Sequence, residues 1–327
     1  MRKTIKIKWL GFSPGTEIPY KEDFLYKNLV QRYNIEISDD PDFLICALTN
    51  FEDLNYNCVK IIRTIENVIP DFNRYDYVMG FDYLTLGDRY LRFPLFAAYK
   101  SYELLKNRAS RMPSDEDLIN RKFCSFVVSN GEGADPIRDE FFRRLCKYKK
   151  VDSGGRHLNN IAGAVADKLE FCRGYKFNIA IENSVSPGYT TEKVMQPLAA
   201  YSVPIYHGDP LVTNDFTSDC MVRIHDAQDI DRAIEEIISL DNDDATYLAK
   251  VKAACLVKPW DYYNNQLSDF LDNIFRQSPE DARRTVDYGY QIHLRQKLRK
   301  LYKVGWLASC VIRKPIRLIK GIAGKVF

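Results

Sequence analysis

Short apolar runs fenced by turn residues return along this chain, separated by stretches with helical spacing. This alternation constrains the fold more than any other feature. Near the start, Ile5, Ile7 and Trp9 alternate with Lys6 and Lys8, the pattern of a half-buried strand. Phe24, Leu25 and Leu29 follow at helical spacing, then apolar runs at 42–46, 59–62 and 75–79. A second alternation begins at Phe123, with a strand over 123–129 and a helix near 137–148. Ile161, Val165 and Leu169 lie at i, i+4 spacing and predict a further helix before the strand at 176–181. A Gly/Pro loop, a helix from about 190 and strands at 203–206 and 221–224 complete the unit. Ile230, Ala233, Ile234, Ile237 and Ile238 mark an amphipathic helix, and two more precede residue 277. Strands joined by helical crossovers imply parallel sheets. The expected class is α/β, two Rossmann-like units in tandem. The polar segment 107–121, which contains Pro113, reads as a linker. The expected domains are therefore residues 1–115 and 116–277, followed by a tail at 278–327.

Composition removes several other classes. A hydrophobic fraction of 46% excludes general disorder. The apolar stretches are far shorter than the roughly 20 residues a spanning helix needs. The start, Met1-Arg-Lys-Thr-Ile-Lys-Ile-Lys8, lacks the apolar core of a signal peptide, so an unsecreted protein is expected. The eight cysteines include no Cys-x-x-Cys pair and the four histidines do not cluster with them. No metal or redox site is expected, and the cysteines read as small buried hydrophobes in a reducing cytosol.

The chemistry concentrates in Phe177-Asn-Ile-Ala-Ile-Glu-Asn-Ser-Val-Ser-Pro-Gly-Tyr-Thr-Thr-Glu-Lys193. A strand ends in Glu182 and Asn183, a Pro-Gly loop follows, and a helix opens with Glu192 and Lys193. In an open parallel sheet, ligands bind beyond the carboxyl ends of strands, where helix N-termini present free N–H groups and partial positive charge. Lys193 adds a full charge and Glu192 an acceptor for sugar hydroxyls. The arrangement suits a nucleoside diphosphate.

Glu182-Asn183, Gly188-Tyr-Thr-Thr-Glu-Lys193 and Pro204-Ile-Tyr-His-Gly208 together resemble the signature of the GT10 family, the alpha-1,3-fucosyltransferases. Phe126-Val-Val-Ser-Asn130 with Pro136-Ile-Arg138 is similar to the start of that family's donor domain. Tyr77 to Asp82 and Asp88 to Pro94 resemble its acceptor-domain motifs, and Glu66-Asn67 sits where bacterial members carry their catalytic base. The resemblance covers about residues 1–275. It implies a GT-B fold, two Rossmann-like domains facing across a cleft, and a transferase that inverts the anomeric centre of GDP-fucose. Carried over by position, Arg138 and Lys193 bind the pyrophosphate, and Glu192 binds the ribose hydroxyls. Asn183 and Tyr189 contact the nucleotide or its phosphates, and Glu66 is the general base. No cofactor and no metal are implied: cations and a helix end meet the leaving diphosphate, and no Asp-x-Asp run is present. The acceptor is expected to be a hydroxyl of N-acetylglucosamine or glucose in a galactose-containing, lipid-linked glycan. Three departures stand out, one of them the segment Gly131-Glu-Gly-Ala-Asp135, which is longer than in the bacterial relatives and adds two acids near Arg138. Pro197 lies inside the expected helix, where it should kink or delay it, and His207 replaces a Trp of the bacterial relatives.

Each residue also has a plainer reading. Glu66, Glu192 and Lys193 taken alone are ordinary surface charges, Arg138 a surface ion pair, and Asn183 and Tyr189 turn and packing residues. His157, His207 and His225 have no ligand spacing and read as packing or surface residues. The other functional classes in view are a GT-B transferase for another nucleotide sugar and a non-catalytic, membrane-associated glycan-binding protein.

After Asp287 the chain carries ten cations and no acid, so a net charge of +3 conceals a body of −7. At 100° per residue, Val311, Ile312, Ile316, Leu318, Ile319, Ile322, Ala323 and Val326 share one face, while Arg313, Lys314, Arg317, Lys320 and Lys325 share the other. That partition suits an interfacial helix on an anionic membrane better than nucleic-acid binding. A helix packed on the acidic body is the competing reading. The expected location is cytoplasmic, peripheral on the inner face of the cytoplasmic membrane.

Overall fold

In β1 (Thr4–Leu10) the Lys/Ile alternation becomes geometry: Ile5 and Ile7 are buried and Lys6 is exposed. The computed structural model describes residues 2–11, 20–47, 52–129, 131 and 133–285, then 294, 297–298, 300–302 and 304–307. After β1 come α1 (Phe24–Leu29), β2 (Asn34–Ile37), β3 (Phe43–Cys46), β4 (Val59–Arg63), β5 (Tyr77–Gly80) and β6 (Tyr90–Arg92). They form a sheet in the order β2-β1-β3-β4-β5-β6. The pairings of β1 with β2 and β3, and of β3 with β4, are parallel, with Ile7 opposite Phe43. β3 and β5 are buried at every residue, which is why they read as continuous apolar runs rather than as alternation.

The second sheet follows α2 (Asp115–Ile119). It is built from β7 (Lys122–Phe126), α3 (Ile137–Leu145), β8 (Val151–Ser153), α4 (Lys168–Arg173), β9 (Tyr175–Ile181), α5 (Glu192–Ala199), β10 (Val203–His207) and β11 (Val222–Arg223). The helices α6 (Ile230–Asn242), α7 (Asp244–Lys252), α8 (Tyr262–Phe275) and α9 (Pro279–Ala282) complete the described elements. The strand order is β11-β10-β9-β7-β8, every pair parallel. The chain steps from β7 outward to β8, then returns to the opposite side of β7 as β9. Such a reversal leaves a crevice beyond the carboxyl ends of β7 and β9, the position at which open α/β sheets bind ligands. Phe126, Phe141, Phe177, Ile179, Ile205 and Val222 fill the core beneath. Among the described residues, six cysteines are buried and Cys146 is half-buried, all as free thiols.

By contact the chain divides into two units: residues 1–63, 70–78 and 274–327 in one, 64–69 and 79–273 in the other. The chain therefore crosses between units within β5, and residues 79–115 group with the second sheet. Half-buried Arg92 and buried Arg108 both tie this segment to the second sheet's unit. Arg92 reaches Asp215 with both terminal nitrogens, at 3.1 and 2.6 Å. Arg108 donates to the carbonyls of Leu198 (2.8 Å), Val251 (2.5 Å) and Ala253 (3.5 Å), which close the ends of α5 and α7. The segment 107–121 is thus no bare linker: Arg108 is buried, and α2 inserts Leu118 into the core.

Two other local expectations are corrected. Ile161 lies in a bend and Val165 in irregular chain rather than in a helix, and regular helix begins only at Lys168. Gly163 sits at φ +94°, and Asn159 donates to the carbonyls of Gly155 and Gly163, folding the stretch on itself. Pro197 neither delays nor breaks α5, which starts at Glu192 and runs through it. The amphipathic positions 311–326 lie outside the described residues.

Candidate active site

The loop that follows β9 is fixed by a buried carboxylate. Asp209, just past β10, accepts from the backbone N–H of Gly188 (2.8 Å) and from Thr190 Oγ1 (2.7 Å). Gly188 has φ +86°, and a Cβ there would lie 2.3 Å from the Phe81 carbonyl oxygen. Only glycine combines that backbone with that approach. Tyr189 is consequently buried, its ring edge-on to Phe81 at 5.0 Å. Burial, reinforced by the charge of Glu182, pushes its hydroxyl up to about 12. Thr191 caps α5, its Oγ1 accepting from the Lys193 N–H at 3.3 Å.

Lys193 leaves the first turn of α5 with its ammonium 3.0 Å from Glu182 Oε2, 3.2 Å from Thr191 Oγ1 and 3.5 Å from Glu192 Oε1. Burial favours the neutral amine, but the two carboxylates outweigh it and hold the ammonium above its usual range. Glu182 has no exposed side-chain surface, and burial raises its carboxyl above the usual value against the pull of Lys193. For Glu192 the balance reverses. Burial raises it, yet Lys193 and Lys168, the latter 4.0 Å away, bring it below the usual range. Glu192 is an ionised acceptor at neutral pH.

Arg138 is the second residue of α3, beyond β7. It is buried rather than on the surface, and it donates to Asn183 Oδ1 at 2.7 Å. Burial pulls its guanidinium below the usual arginine range. The pair ties the start of α3 to the exposed Asn183 at the end of β9. Glu66 is exposed on the loop after β4 and belongs to the same unit as all of these residues. Its neighbour Asn67 donates to Ser184 Oγ at 2.7 Å, so the Glu66 loop is fastened to the loop that leads into Lys193. Its charge also acts on the Tyr189 hydroxyl.

The structure thus gathers all six expected residues, Glu66, Arg138, Asn183, Tyr189, Glu192 and Lys193, around the ends of β7 and β9. Three further residues took no role in the sequence reading: Glu182, Asp209 and Lys168. The Thr190-Thr191-Glu192-Lys193 start signals a cap, but nothing local reveals that Glu182 lies beneath it. His207 is buried, its Nδ1 2.8 Å from the Ile224 carbonyl and its Nε2 3.6 Å from Asp135. His157 meets Asp139 at 2.7 Å.

The model of the alpha-(1,3)-fucosyltransferase FucT N-terminal domain matches residues 7–99, and that of the glycosyltransferase family 10 (fucosyltransferase) C-terminal region matches residues 119–252. An alpha-(1,3)-fucosyltransferase FucT of Helicobacter pylori is 34% identical over 266 residues, covering 70% of this chain and 55% of that protein. The chain therefore spans about half the length of that relative. The crystal structure of an alpha1,3-fucosyltransferase superposes with a TM-score of 0.73 at 28% identity, covering 84% of this chain and 91% of the other. A structure described as an alpha1,3-fucosyltransferase with GDP-fucose gives 0.72 at 28% identity, covering 88% and 94%.

Proposed function

This chain belongs to glycosyltransferase family 10 and has the GT-B fold, and we propose on that footing that it is an inverting alpha-1,3-fucosyltransferase using GDP-fucose. The observation that carries the reading is the fastening of the Glu66 loop to the loop leading into Lys193 through Asn67 and Ser184. It ties the segment that carries a carboxylate to the one that leads into a cation, and displacement at a sugar needs both groups.

In the reaction the acceptor oxygen bonds to the anomeric carbon of fucose while the bond to the β-phosphate oxygen breaks. Negative charge then builds on the diphosphate. The Lys193 ammonium and the positive end of the α5 dipole meet that charge, with Arg138 behind Asn183 adding to the field. No metal is needed for this balance. Glu66 takes the acceptor proton as attack proceeds. An ordinary carboxylate suffices because the hydroxyl becomes acidic only as it bonds to a cation-like carbon. Glu192, ionised by its two lysines, accepts from the ribose hydroxyls.

The acceptor in this reading is a hydroxyl of N-acetylglucosamine or glucose in a galactose-containing glycan carried on lipid. The basic tail would hold the enzyme at the cytoplasmic face of an anionic membrane. Its described positions support this: Leu298, Leu301, Tyr302, Val304, Trp306 and Leu307 are helical and exposed. Among the described residues no helix is long and apolar enough to cross a membrane.

The test is Glu66→Gln with GDP-fucose and an N-acetyllactosamine acceptor. Transfer is expected to fall by about 100-fold or more while GDP affinity is unchanged. Transfer at the native rate removes Glu66 from the mechanism, and absence of both transfer and GDP binding in the unaltered protein removes the proposed activity.

A further inference from the structure

We infer that Glu182 is a positioning residue of the diphosphate site, holding Lys193 before the donor arrives and taking up a proton from solvent when the donor binds. The inference rests on the donor-site reading above and deepens it.

The carboxylate of Glu182 is wholly enclosed. It accepts from the Thr191 N–H (2.9 Å), from Thr191 Oγ1 (2.8 Å) and from the Lys193 ammonium (3.0 Å). Its enclosure is built in from β10 as well: a Cβ on Gly208 would stand 2.4 Å from Glu182 Cγ. Four other groups face it without forming an ion pair. Tyr206 on β10, Tyr189 on the loop and Tyr99 sense its charge but carry none of their own at neutral pH. Arg138 on α3 donates to its backbone carbonyl at 3.4 Å and acts on the carboxylate through space, without a hydrogen bond to it. Glu192 on α5 adds a like charge. Lys193 is therefore the cation in hydrogen-bonding contact with the buried carboxylate, and it is shared with Glu192.

A nucleotide-sugar diphosphate carries one negative charge on each phosphate. Placed at Lys193, it competes for that ammonium and adds like charge near a carboxylate whose side chain has no solvent-exposed surface. Both effects favour the neutral acid, so a proton moves from bulk solvent onto a Glu182 oxygen. The donor complex then binds more protons than the free protein, and donor affinity rises as pH falls through the titration of Glu182. Above that range the coupling disappears.

The experiment is calorimetry of GDP-fucose binding to the full chain at mildly acidic pH, in buffers of different ionisation heat. GDP-fucose is the probe because its phosphates have no group titrating near neutrality. Net proton uptake is expected, approaching one proton, with affinity rising up to about tenfold per unit fall in pH. Glu182→Gln should abolish the uptake and flatten that dependence, whereas His207→Asn should keep both. Binding by the native protein with no dependence on buffer overturns the inference and leaves the donor site standing, and needs no variant to fold. Uptake that persists in Glu182→Gln, or disappears in His207→Asn, overturns it equally. Failure of GDP-fucose to bind in any buffer overturns the donor reading and this inference with it.

Discussion

Replacing Lys193 by Met keeps the length of the side chain and takes the ammonium away from Glu182. Removing one partner of a buried ion pair costs about 3–5 kcal/mol, because the other charge stays behind without compensation. Thr191 still donates twice to Glu182, so the lower end applies, about 3 kcal/mol at neutral pH. For a unit comprising residues 64–69 and 79–273, that loss lowers the midpoint of thermal unfolding by about 6–12 °C. The pH dependence follows from the same group. Burial already raises the Glu182 carboxyl, and Lys193 opposes that rise. Without Lys193 the folded value climbs further above the unfolded one. A raised carboxyl contributes stability that is fully present below the usual carboxylate range and is lost as pH rises through its folded value. The gap between native protein and variant should therefore be small in acid and full at neutral pH. Thermal unfolding by circular dichroism across that range measures it. The double variant Glu182→Met with Lys193→Met should recover most of the loss, since an apolar pair of similar volume replaces the ions. A gap below about 1 kcal/mol at neutral pH, a gap independent of pH, or no recovery in the double variant would refute the reasoning.

Two more outcomes are expected. Arg108→Met strips donors from two buried carbonyls and one partly buried one and should lower stability by about 2–4 kcal/mol in urea unfolding; a change within 0.5 kcal/mol of zero, typical of a surface site, would contradict its anchoring role. Truncation after Thr285 should abolish sedimentation with anionic lipid vesicles while GDP-fucose binding is retained, and undiminished vesicle binding by the truncated chain would exclude the tail as the attachment.

Period and punctuation made much of this legible in advance. The strand at 43–46 is buried at every residue and is an unbroken apolar run, while those at 59–63 and 175–181 are mainly apolar runs that also bury Lys60, Lys176 and Asn178. The donor loop was readable because its Gly, its capping Thr and its adjacent Glu-Lys are local requirements of a strand-loop-helix corner. The reading failed where long-range contacts decide. Ile161, Val165 and Leu169 have helical spacing, yet Gly163 and the side chain of Asn159 hold the first part in bends. The polar stretch 107–121 resembles a linker by composition, and only the distant carbonyls of Leu198 and Val251 explain why Arg108 is buried there. Glu182 was visible as a strand end but not as a buried charge, because its enclosure comes from Gly208 and Thr191 on two other elements.

The Arg108 clamp also sets an order of events during synthesis. Its acceptors lie 90, 143 and 145 residues further along the chain, so the nascent segment around it emerges from the ribosome long before anything exists to hold it. Until residue 253 has cleared the exit tunnel, a guanidinium and its apolar neighbours wait exposed, open to chaperones or to aggregation. A gene cut near residue 115 would leave both fragments in that condition permanently, so splitting the protein there would yield two adhesive halves rather than two working domains.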